Sequence, residues 1–378
     1  MTLLRPLQVG NLDLPNRVVM APMTRARSSE NHAPNDLVAE YYAQRASAGL
    51  LITEASSVSR LSVSRPGTSA IHQDVHAEGW RRVAEQVHGR GGRIFQQLYH
   101  MGRKADPTRL PEGERPVAPS AVRSTPQVGG ANTYFEFDEP HALTTTEVTG
   151  VVDEFRNAAA LAHKAGMDGV EIHGSNGYLI DQFLKDATNQ RTDQYGGSIA
   201  NRTRFLMEVT EAAIGVFGAG RVGVRISPHY RDGGIGDSDT ECLFRHVATA
   251  LNGLGIAYLH AIEVNKIGAR QGPPEGKPFL TPMLRQTFKG PLMANSGYSR
   301  DSAEAAIASG AADLVSFGGL FIANPDLVER FRLGALLNNP DKATYYVGGP
   351  TGYTDYPTLG DGSAADAEKR KQAFHAGQ

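Results

Sequence analysis

Cysteine is almost missing from this chain. Cys242 is the only one in 378 residues, which excludes an internal disulfide and any metal or cluster site built on several thiolates. An excess of charge is missing too. Lys and Arg number 38, Asp and Glu 40, for a formal net charge of −2. No basic stripe gathers anywhere, which argues against nucleic acid or an anionic membrane as a partner. No apolar run reaches the roughly 18 residues that a membrane helix needs. The opening MTLLRPLQVGNLDLP has no long apolar core and no small-residue cleavage pattern, so no secretory signal is expected. The first apolar run ends in Ala21-Pro22-Met23-Thr24 rather than a Gly-x-Gly-x-x-Gly turn, and Gly-x-Ser-x-Gly and Walker patterns are also absent. These absences describe a soluble protein of a reducing compartment, expected to be cytoplasmic.

Order appears as alternation. Apolar runs of strand length fall at 17–21, 50–54, 93–98, 169–173, 222–226, 257–262, 291–294 and 313–316. Segments with helical period follow at 36–48, 78–90, 146–165, 199–216, 240–254, 281–288, 302–309 and 325–333. Asn324-Pro325 reads as a helix N-cap with Pro in the first turn, and Thr145 precedes a helix carrying Glu147 in its first turn. Gly49, Gly166, Gly255 and Gly310 stand where helices stop. Eight strand-then-helix units imply parallel strands with crossover helices, and eight close into an α/β barrel of the TIM (β/α)8 type more naturally than they extend an open sheet. Residues 7–18 alternate around Asn11 and Asp13 like a hairpin capping one end. Residues 102–143 form a long Pro/Gly/Ser-rich insertion after the third strand, expected to act as a lid or wall. The expected layout is one domain over 1–360 and a loosely held tail over 361–378.

In such a barrel the site forms at the C-terminal ends of the strands. Those ends are polar here. Gln97, Tyr99 and His100 close strand three, and His173 closes strand four with Asn176 and Tyr178 just beyond. Strand five holds Arg225 and leads into Ser227 and His229, strand seven into Asn295, Ser296 and Gly297, and strand eight into Gly318 and Gly319. Imidazole, carboxamide and phenol within six residues suit the holding of a polarised oxygen and the delivery of a proton. The alternatives are a core histidine satisfied by backbone and a packed tyrosine. Ser296-Gly297 and Gly318-Gly319 are either turn glycines or a backbone cradle for a phosphate. Arg225, inside an apolar strand, is either ion-paired to a neighbouring strand or a fixed cation beside a cofactor. His72-x-x-x-His76 has the i, i+4 spacing of a zinc pair but lacks an adjacent catalytic Glu, so no metal is expected.

These residues, in this order, closely resemble the Old Yellow Enzyme family of FMN-dependent ene-reductases. The motifs are Ala21-Pro22-Met23-Thr24-Arg25, the run from Gln97 to Arg103, the block from His173 to Arg204, the run from Phe321 to Leu327, and Gly352-Tyr353-Thr354-Asp355-Tyr356-Pro357. The resemblance implies an FMN-binding barrel. Pro22, Met23 and Thr24 would line the flavin, with Thr24 near N5. Ala55 would pack by the ring, Gln97 would hold the pyrimidine edge and Arg225 the N1 side. Ser296, Gly297, Gly318 and Gly319 would cradle the phosphate. His173 and Asn176 would bind the substrate oxygen, Tyr178 would protonate the α-carbon, and Tyr99 and Tyr346 would line the pocket. NADPH or NADH would be a transient reductant sharing one pocket with a small unsaturated substrate, and the protein would be a monomer or small homo-oligomer. Reduction of nitrate esters or nitroaromatics, a barrel that binds flavin or a phosphorylated ligand without turnover, and a flavin-free aldolase or isomerase are the alternatives. Three departures accompany the resemblance. Gly319 stands where the family has a phosphate-contacting arginine, with Arg300 a possible substitute. Tyr99 replaces a tryptophan, and Arg65 replaces an aromatic pocket residue.

Overall fold

Eight short parallel strands close on themselves in the computed structural model, which describes residues 1–63, 65–128, 134–135, 137–263 and 278–361. The strands are Val18–Met20, Leu50–Ile52, Ile94–Tyr99, Gly169–Gly174, Val222–Ile226, Tyr258–Ile262, Leu292–Asn295 and Leu314–Phe317. Each pairs with the next in sequence, and the eighth pairs with the first, Phe317 beside Met20. Helices Asp36–Gln44, Asp74–His88, Thr145–Lys164, Ile199–Phe217, Thr240–Asn252, Thr281–Thr287 and Arg300–Ala308 occupy the seven crossovers. Among the described residues, no helix is long and apolar enough to cross a membrane.

Alternation along each strand builds two separate cores. Outward residues such as Val18, Leu51, Ile94, Val170 and Val224 pack under the helices with Trp80, Val83, Phe155 and Phe244. Inward residues Val19, Leu50, Ile52, Phe95, Tyr258, Met293 and Leu314 fill the lower half of the barrel. Burying an aromatic ring of this size stabilises the fold by about 3–5 kcal/mol relative to Ala. Glycine makes room for these rings: a Cβ at Gly223 would lie 2.3 Å from the Tyr258 ring. The expected hairpin, Leu7–Val9 with Leu12–Leu14, closes the bottom through Val9, Leu12 and Leu14.

The capping residues differ in two places from the sequence expectation. Thr144, not Thr145, is the N-cap of its helix, in a reciprocal capping box with Glu147. Asn324 does not cap the last helix. A short helix, Gly319–Ala323, precedes it, and Asn324 closes that helix by donating from Nδ2 to Leu320 O (2.8 Å). Asp326 takes the N-cap position before Leu327–Leu333. The second helix starts at Asp74 rather than 78, because His76 Nδ1 accepts both the His72 and Gln73 amides (3.2 Å each). That role accounts for the His72/His76 spacing without a metal. Within the long insertion, Val117–Ala118 pairs with His141–Ala142, and Gln127–Val128 with Tyr134–Phe135. Arg103 ties its base to Val122 O (3.0 Å) and Gly233 O (2.7 Å). The tail expected over 361–378 lies, past Asp361, outside the described residues.

Candidate active site

Halfway up the barrel the inward positions change from apolar to polar. Gln97, Glu171, Arg225, His260, Asn295 and Ser316 come from six successive strands, with Glu171 opposite Gln97, Arg225 opposite His260 and Asn295 opposite Ser316. They join into one chain. Asn295 Nδ2 donates to Ser316 Oγ (2.7 Å), and Ser316 Oγ lies 2.8 Å from His260 Nε2. His260 Nδ1 lies 2.8 Å from Glu171 Oε2, and Gln97 Nε2 donates to Glu171 Oε1 (2.7 Å). Burial raises the Glu171 carboxyl, but His260, Arg225 and Gln97 outweigh it and hold the group below its usual range. Burial holds His260 below its usual range, against the pull of Glu171. The consistent assignment is a carboxylate accepting from a neutral imidazole, whose Nε2 accepts from the Ser316 hydroxyl.

Arg225 stands beside this chain without joining it. It is buried, its Nε has no hydrogen-bond partner, and Glu171 on the neighbouring strand is already committed. Burial lowers the guanidinium to about 10, so it is cationic at neutral pH. Of the two readings open from sequence, the ion pair is thus not the one observed.

Above Arg225 is the mouth. His173 lies next to Arg225 in register, and Ser175 Oγ is 2.8 Å from its Nδ1. Its Nε2 makes no hydrogen bond among the described residues. Burial, then Arg225 and His260, hold the ring well below its usual pKa, so it is neutral and can donate from Nε2. The Asn176 backbone is left-handed, with φ 58°, and Gly177 follows at 73°. That turn is fixed by Asn176 N donating to Ser227 Oγ (2.8 Å), Gly177 N donating to Asp181 Oδ2 (2.9 Å) and Lys104 Nζ donating to Asn176 O (3.2 Å). The Asn176 carboxamide is left over, its Oδ1 buried and unpartnered. Tyr178 meets His173 edge-on at 5.1 Å between ring centroids and Tyr99 at 5.4 Å. Burial raises its phenol, and Arg65 partly opposes.

The expected cofactor residues fall around the same rim. Pro22, Met23 and Thr24 follow strand one, partly exposed, and a Cβ at Gly318 would meet Met23 Sδ at 3.4 Å. Strands one and eight therefore bring these groups together. Ala55 follows Glu54, whose buried carboxylate accepts the Arg25 amide (3.1 Å). Ser296 holds φ 135° and Gly297 68°, a turn of strained backbone in which Ser296 is buried and Gly297 exposed, with Ser296 Oγ accepting from Glu263 N (2.9 Å). Gly319 opens on free space, where a Cβ would meet nothing within 4 Å. Arg300 is spent on Asp301 (2.9 Å). Tyr346 stands on a C-terminal strap held by arginines donating to its carbonyls: Arg25 to Tyr345 O (3.1 Å) and Gly352 O (2.8 Å), Arg27 to Thr344 O and Val347 O (2.6 Å each). His229, with Nε2 3.0 Å from Pro278 O, and His100 are engaged elsewhere. The His100 Nδ1 accepts the Gly102 amide (3.0 Å), and His100 lines a groove under the insertion with Leu61 and Val117. Among the described residues, no group of His, Cys, Asp and Glu could hold a metal.

Glu171, His260 and Ser316 escaped the reading of strand ends. Counting back two residues from His173 would have exposed Glu171 as inward-facing. An unpaired cation, an uncommitted carboxamide and imidazole, and an open backbone turn suit a planar, electron-rich ligand with a phosphate tail, which is what FMN is.

The family model described as NADH:flavin oxidoreductase / NADH oxidase matches residues 2–338. A Leishmania infantum protein described as "Probable flavin mononucleotide-dependent alkene reductase" is 42% identical over 365 residues, 94% of this chain and 97% of that protein. Morphinone reductase in complex with tetrahydroNAD superposes with a TM-score of 0.87 at 44% identity, covering 95% of this chain and 98% of the other. The Old Yellow Enzyme homologue from Zymomonas mobilis gives 0.89 at 42% identity, covering 95% and 100%.

Proposed function

The chain belongs to the NADH:flavin oxidoreductase / NADH oxidase family, and from that membership we propose how its own residues share the work. It is an FMN-dependent oxidoreductase that reduces activated C=C bonds at the expense of a nicotinamide nucleotide. Bound FMN supplies a two-electron carrier that takes hydride from the nicotinamide and yields it to the alkene.

The rest is the protein's. Gln97, its amide nitrogen tied to Glu171, keeps its carbonyl for a donor on the pyrimidine edge. Arg225 faces the negative charge of the reduced ring, and Thr24, Met23, Pro22 and Ala55 line it. Ser296, Gly297, Gly318 and Gly319 offer backbone N–H groups to the phosphate. His173 and Asn176 donate to the carbonyl or nitro oxygen of the alkene, strengthening as negative charge develops there. Because His173 is neutral, it can donate without giving up a proton. Tyr178 delivers the proton to the α-carbon, and Tyr99 and Tyr346 shape the pocket. Both half-reactions use one pocket, so steady-state kinetics are ping-pong. Small molecules are its partners, without nucleic acid or membrane, and it works in the cytoplasm as a monomer or small homo-oligomer.

The single observation that carries this reading is the convergence of the uncommitted His173 Nε2 and Asn176 carboxamide with the Tyr178 phenol above the unpaired Arg225. A visible flavin spectrum and NAD(P)H-driven reduction of 2-cyclohexenone or N-ethylmaleimide test the class. Tyr178→Phe tests the roles. It should slow reoxidation of the reduced flavin by an enone about a hundred-fold and spare reduction by NAD(P)H. An equal loss in both half-reactions removes Tyr178 as the proton donor.

A further inference from the structure

One cation at the mouth is not used by this mechanism. Arg65 lies on the loop after the second barrel strand, partly buried. Its backbone is pinned, since Thr68 donates both its Oγ1 (2.7 Å) and its N (3.4 Å) to Arg65 O. Next to it, Gly67 O accepts the Ser28 amide (2.8 Å), and a Cβ at Gly67 would collide with Ala26 O at 2.4 Å. The stem therefore starts from a fixed point. Its guanidinium carbon lies 4.9 Å from the centroid of the Tyr346 ring, on the strap held by Arg25 and Arg27. Among the described residues it has no acidic partner.

Several exposed arginines are committed to acids instead. Arg60 pairs with Glu114, Arg245 with Glu241, and Arg300 with Asp301. Arg65 is instead stacked on an aromatic that borders the pocket. Its charge is also the strongest of those acting on the Tyr178 phenol, ahead of Arg225. Arg65, Tyr346 and Tyr178 thus share one region, with an unpaired guanidinium on its outer side. A guanidinium held this way is matched by a planar anion that accepts two parallel N–H bonds.

We propose that Arg65 is an anion-binding residue of the acceptor subsite, and that the acceptors this enzyme prefers are activated alkenes bearing a carboxylate. The proposal rests on the ene-reductase reading above. The oxygen that activates the alkene meets His173 and Asn176, and the carboxylate, on the far side of the molecule, meets Arg65. Arg65 touches only the substrate's tail and transfers neither proton nor hydride.

The test compares a 2-cyclohexenone bearing a carboxyalkyl chain with its methyl ester, on the holoenzyme at low salt, with 2-cyclohexenone as the neutral reference. For the wild type, kcat/KM for the acid should exceed that for the ester by about ten-fold, carried by KM. Arg65→Gln should bring the acid-to-ester ratio to about one, any effect on Tyr178 being common to acid, ester and 2-cyclohexenone and so cancelling in the ratio, and Arg65→Lys should retain part of it. Calorimetric titration with 3-(4-hydroxyphenyl)propionate and its methyl ester supplies a readout without turnover, and the preference for the acid should vanish in Arg65→Gln. A wild-type ratio near one, with 2-cyclohexenone still reduced, overturns the proposal alone. Failure to reduce 2-cyclohexenone overturns the reading beneath it. If Arg65→Gln slows flavin reduction by NADPH but not NADH and leaves the acid-to-ester ratio intact, the anion is the dinucleotide phosphate and the proposal is wrong.

Discussion

Replacing Lys104 with methionine should change the pH dependence of stability more than stability itself. Lys104 ends a short turn after the third strand and is 6% exposed. Its Nζ donates to Asn176 O (3.2 Å) and Tyr230 OH (3.1 Å), and it lies 5.8 Å from the Tyr178 ring centroid. Burial pushes it down from 10.5 to about 8, against the pull of Asp232 and Asp181. At about 1.4 kcal/mol per tenfold change in the ionisation constant, charging this lysine in the fold rather than in the unfolded chain costs about 3 kcal/mol. Because the folded pKa is the lower one, the whole penalty is present below pH 8. It fades between pH 8 and 10.5, where the folded lysine is neutral and the unfolded one still charged. Methionine removes the penalty and also two hydrogen bonds, about 1 kcal/mol each. The variant should therefore lie within about 1 kcal/mol of the wild type at pH 7 and about 2 kcal/mol below it near pH 10.5. Urea titrations at pH 7, 8, 9 and 10, at equal free FMN, measure the difference. A constant offset across that range refutes the reasoning, because it would mean that Lys104 does not titrate in the fold as its burial dictates.

Two further outcomes follow from the same geometry. Glu171→Gln removes the negative charge nearest Arg225 and sets an amide N–H against the donors of Gln97 or His260. The flavin midpoint potential should rise by roughly tens of millivolts, and an unchanged or lower potential in a spectroelectrochemical titration would show that Glu171 does not set the charge there. Gly319→Arg adds a cation where a side chain meets open space. FMN should bind about ten-fold tighter by fluorescence quenching, and an unchanged dissociation constant would place the phosphate elsewhere.

The barrel was legible because each strand is a mainly apolar run and several helices carry a glycine stop signal, as at Gly166 and Gly310. The strand ends were legible for a similar reason: His173, Asn176 and Tyr178 are polar groups crowded just past an apolar run. Asn324 misled because its carboxamide serves two neighbours. The residue that looks like the start of one helix closes the helix before it and also accepts the Asn338 amide (2.7 Å). Arg25, Arg27 and Arg45 were invisible as a clamp because their partners are carbonyls about 280 to 330 positions away, such as Arg45 to Ile322 O (2.9 Å) and Arg25 to Gly352 O. A carbonyl has no sequence signature, so such long-range contacts cannot be read from residue type. Glu171 and His260 could have been found, since both sit at inward positions of strands already identified.

The charge balance of the site explains why so many polar groups are buried in it. A carboxylate and an arginine on adjacent strands would ordinarily pair, and Arg225 would then be neutralised. Here Glu171 is drawn off by Gln97 and by His260, which is itself fixed through Ser316 and Asn295. The chain of four hydrogen bonds thus keeps Arg225 free while Glu171 limits the cost of its burial. Above it, His173 is kept neutral partly by that same arginine. On the proposed reading the pocket thus meets incoming electron density with Arg225 below and neutral donors at the side, while the Glu171 carboxylate is held by His260 and Gln97. Such a site stabilises negative charge as it develops on a substrate oxygen more than it stabilises the neutral alkene beforehand, and that difference is what accelerates the reaction.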